Sequence, residues 1–183
     1  MQKVLIINGH QKFPYNEGRL NQTLMNEMAE RLKDDFDLKT SILQKGWDVE
    51  EEVKKFEWAD IIIFQTPVYW FSVPALLKKY MEEVYLYGIF YKGASTYGHG
   101  GQFKNKKYML STTWNAPKEA FDDPAGFFEG RSTDDILVAF HKTQQFTGMQ
   151  ALPSFSCHNV VHQPNIEAYL TSLRQHLHSV FNV

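Results

Sequence analysis

Cysteine is nearly absent from this 183-residue chain. Cys157 stands alone, which excludes an internal disulfide and a cysteine-built metal cluster, and fits a reducing compartment. Long apolar runs are missing as well. The longest unbroken one is Ile136 to Phe140, far short of a membrane span or a leader core, so a soluble, cytoplasmic chain without an integral membrane segment is expected. Neither sign of charge dominates: 19 Lys plus Arg face 21 Asp plus Glu, and a net charge of −2 supplies no nucleic-acid footprint. Any anion must therefore be held locally. No Gly-x-Gly-x-x-Gly follows the first apolar run and no Gly-Lys-Ser/Thr occurs, which argues against a fingerprint dinucleotide dehydrogenase and an NTPase. His158 and His162 lie four apart without a third ligand or a glutamate base, so no metal site is expected.

The segment from Trp58 to Ala75 organises what is present. Ile61 to Phe64 is short, apolar and mostly β-branched without alternation, the pattern of a strand covered on both faces. Pro67 ends it, having no N–H to donate. Tyr69, Trp70 and Phe71 follow, with Ser72 placed to cap a helix near whose start Pro74 stands. Lys3 to Asn8 is a second buried strand, and Leu20, Leu24, Met28 and Leu32 mark a helix running from Gly18 to about Lys33. Phe36 to Leu43 is a second strand towards an edge of the sheet, and Asp48 with Glu51 caps a short helix. Leu77, Tyr80, Met81 and Val84 mark a helix ending near Gly88. After a glycine-rich stretch from Tyr91 to Phe103 come a strand over Lys106 to Thr113 and an irregular excursion over Asp122 to Gly130. A helix capped by Ser132 or Thr133 then closes at Gly148, followed by a fifth strand over Met149 to Phe155 and a terminal amphipathic helix. Strands alternating with helices predict one α/β domain over residues 1–183, a three-layer α/β/α arrangement around a five-stranded parallel sheet, for which the flavodoxin-like order 2-1-3-4-5 is chosen over a six-stranded dinucleotide fold.

In that topology three loops lie side by side at the carboxyl ends of strands, where α/β sheets hold ligands. The first carries His10, Lys12, Arg19, Asn21 and Thr23 at or before a helix N-terminus, where free N–H groups favour phosphate. An ordinary capped helix with solvated charges explains those residues equally well. The second carries Tyr69, Trp70 and Phe71. Three adjacent rings cannot all enter one core from a loop, so at least one faces a cleft suited to a flat ring system. The third, Thr112 to Ala116, offers consecutive backbone N–H groups beside Trp114, and a plain turn leading to Pro117 is compatible with that use.

Val4 to Gly9, Gly18 to Thr23, Trp58-Ala-Asp60, Pro67 to Trp70, Lys107 to Leu110, Thr113 to Pro117, Phe140-His-Lys142 and Gln145-Phe-x-Gly-Met149 together resemble the modulator of drug activity B group of NAD(P)H:quinone oxidoreductases. The resemblance spans nearly the whole chain. It implies a flavodoxin-like homodimer with FAD, in preference to FMN, at the strand ends. It also implies two-electron reduction of a quinone by ping-pong hydride transfer through the flavin, with NADPH preferred to NADH as donor. Carried onto this chain, His10 stands near the pyrophosphate. Asn16, Gly18, Arg19, Leu20, Asn21 and Thr23 hold the adenine-side phosphates. Pro67, Val68, Tyr69, Trp70 and Phe71, with Thr113, Trp114, Asn115 and Ala116, hold the isoalloxazine, and Tyr97 reaches over it. Tyr97, His99 or His141 donates a proton or hydrogen bond to the reduced quinone. A flavodoxin-type electron carrier and a flavin-binding regulatory partner of a membrane transporter are the alternatives.

Overall fold

A computed structural model describes residues 1–183. β1 (Gln2–Asn8) pairs in parallel with β2 (Phe36–Ile42) on one side and β3 (Ile61–Pro67) on the other. Pairing of β3 with β4 (Lys107–Thr113) continues the sheet, whose order is β2-β1-β3-β4-β5, as the alternation predicts. The helices are α1 (Arg19–Leu32), α2 (Val49–Trp58), α3 (Ala75–Val84), α4 (Thr133–Ile136), α5 (Val138–Phe146) and α6 (Ile166–Phe181). None is long and apolar enough to cross a membrane.

Alternation along the inner strands separates two cores. Val4, Ile6, Ile61, Ile63 and Met109 meet Leu24 and Met28 of α1 and Leu170, Leu173 and Leu177 of α6. Leu5, Ile7, Ile62, Phe64 and Leu110 face the other way, onto Phe56 of α2, Leu77 and Tyr80 of α3 and Phe140 of α5. All seven residues of β3 are buried, because helices cover both its faces.

Four local expectations need correction. The fifth strand is not continuous: β5 (Gln150–Ala151) and β6 (Phe155–Cys157) pair separately with β4, and Pro153, which cannot donate to a ladder, lies in the break. The helix before it is two helices that meet at Leu137, the first opened by a capping box between Ser132 and Asp135. α3 stops at Val84, well before Gly88. Ser72 does not cap α3. The N-cap is Pro74, with no side-chain bond, and the N–H of Leu76 is satisfied instead by the Gln11 side chain at 3.1 Å.

Candidate functional site

The loops after β1, β3 and β4 meet at the carboxyl edge of the sheet. Beneath them lies a buried polar network that fixes their roots. Ser111 Oγ donates to Gln65 Oε1 at 2.6 Å, Gln65 Nε2 donates to Asn21 Oδ1 at 2.8 Å, and Asn21 Nδ2 donates to Thr113 Oγ1 at 3.3 Å. No buried side-chain polar atom lacks a partner. Asn21 and Thr113 thus point down into this brace.

Trp70 and Phe71 carry the clearest signal. Their φ values are 49° and 64°, left-handed conformations that bulky side chains rarely adopt and that cost about 1–3 kcal/mol each. Tyr69 and Ser72 close the turn around them with two backbone bonds of 2.9 and 3.1 Å. The Trp70 ring is 92% exposed and Phe71 is half-exposed against Phe127 and Phe128. A strained turn that holds a large ring out in solvent spends stability on presentation. Tyr69 does the opposite: its ring meets Phe13 edge-on and its hydroxyl is hydrogen-bonded.

Free backbone donors surround that turn. The N–H groups of Trp70 and Phe71, and those of Asn115 and Ala116 in the third loop, donate to no backbone carbonyl. α1 begins at Gly18 without a side-chain cap and with no acidic residue in its first turn, so its leading N–H groups are also open. Gly18 cannot be replaced easily: its φ is 74°, and a Cβ there would lie 2.3 Å from His10 Nδ1. A hollow of about 370 Å³ lined by Pro14, Tyr15, Asn16, Glu17, Arg19 and Leu20 adjoins this helix end.

His10 is buried, and burial lowers its pKa from the usual histidine value, with Asn16 opposing. Asn16 Oδ1 accepts from the Gly18 N–H at 3.1 Å, so a neutral His10 meets the same oxygen, at 3.3 Å, as an Nε2–H donor. Burial, with a smaller contribution from Tyr15, pushes the Tyr69 hydroxyl up to about 12, and it stays protonated at neutral pH.

Other expected residues fall elsewhere. The Trp114 ring is buried on Phe121, with its Nε1–H given to Thr112, leaving only backbone for a ligand. Thr23 returns its hydroxyl to the Arg19 carbonyl, and Arg19 pairs with Glu17 in solvent. Val68 is half-buried with its N–H on the Thr113 carbonyl, and Pro67 is the last residue of β3. Tyr97, His99 and His141 do not join the cluster within one chain. His141 is bound between Tyr108 at 2.8 Å and Asp134 at 3.2 Å, and Tyr108 lies about 16 Å along β4 from Thr113. Tyr97, 93% exposed, leans on Phe146 at the end of α5. With His99 it lines a separate cavity of about 770 Å³ together with Lys78, Met81, Tyr91 and Phe146. No group of three His, Cys, Asp or Glu side chains is assembled for a metal.

Sequence reasoning missed Gln11, Phe127, Phe128 and His158. Gln11 had no local signal, since its partners are more than fifty residues away. The Phe127-Phe128 pair in a glycine- and proline-containing excursion was a usable one. His158 bonds the Ala116 carbonyl at 3.3 Å and Ser156 at 3.0 Å, and so steadies the third loop.

A 2-1-3-4-5 parallel sheet with open donors and a presented ring at its carboxyl edge defines a flavodoxin-type α/β protein with a strand-end ligand site. The chain belongs to the flavodoxin-like fold family, whose model matches residues 2–179, and within it to the group of the NADPH:quinone oxidoreductase MdaB. The MdaB protein of Haemophilus influenzae is 39% identical over 189 residues, covering 97% of this chain and 98% of its own. A candidate quinone reductase from Klebsiella pneumoniae superposes with a TM-score of 0.83 at 24% identity, covering 100% of this chain and 86% of its own. General stress protein 14 of Treponema denticola, solved in complex with FMN, superposes with a TM-score of 0.71 at 25% identity, covering 96% and 95%.

Proposed function

We propose that this chain is a flavin-dependent NAD(P)H:quinone oxidoreductase with its flavin at the carboxyl edge of the sheet. The strained, solvent-facing Trp70 carries the reading. A ring held out at that energetic cost needs a flat partner, and open N–H groups stand in both neighbouring loops. The H. influenzae relative's activity points the same way.

The residues fit a flavin. Trp70 and Phe71 offer faces and two N–H groups, Asn115 and Ala116 offer two more to a carbonyl edge, and the uncapped start of α1 receives phosphate. FMN and FAD share these parts. The Treponema complex favours FMN, while the hollow along Pro14 to Leu20 gives an adenosine half room beside Tyr15. When bound, the flavin supplies two-electron chemistry between nicotinamide and quinone. The protein's part is to orient the ring, to stabilise developing negative charge with the Asn115 and Ala116 N–H groups, and to leave one face open to flat substrates. Nicotinamide and quinone use that face in turn, with NADPH as donor.

Tyr97 and His99 enter this reaction from a second copy. The glycine-rich segment carries them out on the surface, and in a twofold dimer they would reach the partner's site as hydrogen-bond donors. His141, committed to Tyr108 and Asp134, takes no part. The test is direct: identify the flavin released from the purified protein by mass, then measure menadione reduction with NADPH and with NADH. Bound flavin with nicotinamide-dependent turnover supports the reading. Flavin without hydride uptake from either nicotinamide makes the chain an electron carrier instead.

A further inference from the structure

A second ring-bearing segment meets the aromatic turn. The excursion between Phe121 and Arg131 closes on itself: the Asp122 N–H donates to the Arg131 carbonyl at 3.2 Å, the Gly130 N–H to the Asp123 carbonyl at 2.8 Å, and the Ala125 N–H to the Asp123 carboxylate at 2.9 Å. Phe128 is its anchor. That ring is buried, stacked on Phe121 at 4.5 Å and edge-on to Trp114 of the third loop at 6.5 Å, and it meets Phe71 of the second loop edge-on at 5.8 Å. The excursion thus joins the two loops that carry the open donors. Phe127 is held the other way, 76% exposed, with its ring 5.8 Å from Phe71 and 5.0 Å from Phe128. Asp122 and Glu129, on either side of it, have φ values of 59° and 54°, left-handed conformations that a glutamate rarely takes. A closed loop with strained flanks that leaves an apolar ring in water repeats what the Trp70 turn does, on a separate stretch of chain.

We propose that Phe127 is a specificity-determining wall of the acceptor slot, whose ring covers the second ring of a fused two-ring quinone and so favours such acceptors over one-ring quinones. Phe71 carries the continuity: it is the neighbour of Trp70 in the presenting turn and touches Phe127, so apolar surface runs from the ring platform to the excursion without a break. A fused second ring brings additional apolar area and another aromatic face, and a ring beside the platform is the partner that can use both. The wall is set before the ligand arrives. Because the excursion's backbone is closed and Phe128 fixes it from below, little ordering is lost on contact, and the interaction survives as selectivity. Phe127 touches the substrate, and Phe128 positions Phe127.

The inference rests on the quinone reductase reading, and the experiment keeps the two apart. kcat/KM for a two-ring naphthoquinone and for a one-ring benzoquinone is measured on the flavin-loaded wild-type chain, Phe127→Ala and Phe127→Tyr. Flavin affinity, thermal midpoint and sedimentation are recorded for each. The preference for naphthoquinone is expected to fall about three- to tenfold in Phe127→Ala, the worth of one aromatic pair, and to persist in Phe127→Tyr, which keeps the ring. Flavin affinity and midpoint should stay at the wild-type values, since the Phe127 side chain is 76% exposed. An unchanged preference in Phe127→Ala overturns the wall while leaving the quinone reductase reading intact. With that preference unchanged, weakened flavin binding assigns Phe127 to the flavin cradle, and lost self-association assigns it to a contact between copies. A preference lost in Phe127→Tyr as fully as in Phe127→Ala also overturns the wall. If the wild-type chain reduces neither quinone, the functional reading falls and the wall with it.

Discussion

At the carboxyl ends of β1, β3 and β4, Trp70 apart, side chains are tied to one another and backbone donors are left open. Around Tyr97 and His99 the reverse holds. There the side chains stand free in solvent, while the loop backbone is closed by bonds such as Lys92 to Gly100 and Phe103 to Thr147, and Gly101 packs directly on Gly148. Open donors on a rigid frame suit a small ligand, which meets them without further ordering of the protein. Free aromatic side chains on a stiff, glycine-packed loop suit a second protein surface, which supplies what they lack. The comparison teaches that one half of the expected site is gathered within a single chain, and that the other half stands on the surface, where the proposed dimer would use it.

The largest effect is expected where the frame itself is touched. Gly18→Ala puts a Cβ into the His10 ring at a φ of 74°, and should cost about 2 kcal/mol or more in chemical denaturation and abolish tight flavin binding. A stable Gly18→Ala with unchanged binding would break the claim that the strand-end frame is rigid. Acid should act to a lesser degree, on this frame through His10 and His158 and on α6 through His176. Burial lowers His10, His158 and His176 below their ordinary value of 6.5, so the unfolded chain takes up protons first. Stability is complete above that pH and is lost as the pH falls through the folded values. A drop in thermal midpoint on the order of 5 °C between pH 7 and pH 5 is expected, and a flat profile would contradict the burial of these rings. The smallest effect belongs to the displayed half. Tyr97→Ala should change stability by less than about 0.5 kcal/mol, because the side chain is 93% exposed and its hydroxyl has no partner. The same variant should raise the KM for quinone and weaken self-association in sedimentation. An unchanged KM with an intact dimer would remove Tyr97 from the site.

Much of the fold was legible because buried parallel strands are apolar without alternation. Ile61 to Phe64 and Lys3 to Asn8 announce themselves, and the helical stripes between strands show parallel crossovers, while the strand order was a choice over a six-stranded dinucleotide fold. The aromatic turn was legible as a crowding problem: three adjacent rings demand that one face outward, and Trp70 does. Its cap was not. Ser72 is the local candidate, but the bond to α3 comes from Gln11, and contacts across 65 residues leave no trace in spacing. Trp114 misled for a related reason, since periodicity says nothing about which way a loop ring points. His99 and His141 were grouped with Tyr97 by chemistry; the glycine-rich segment carries Tyr97 and His99, and α5 carries His141, away from the strand ends.

One titration tests the central claim that Trp70 is presented for a flavin ring. Flavin is added to the wild-type chain and to Trp70→Ala, and affinity and thermal midpoint are read together. Because the ring is 92% exposed in the free chain, its loss should leave the midpoint unchanged. Flavin affinity should fall about tenfold or more through lost stacking and burial. A folded Trp70→Ala that binds flavin as tightly as the wild type would contradict the account.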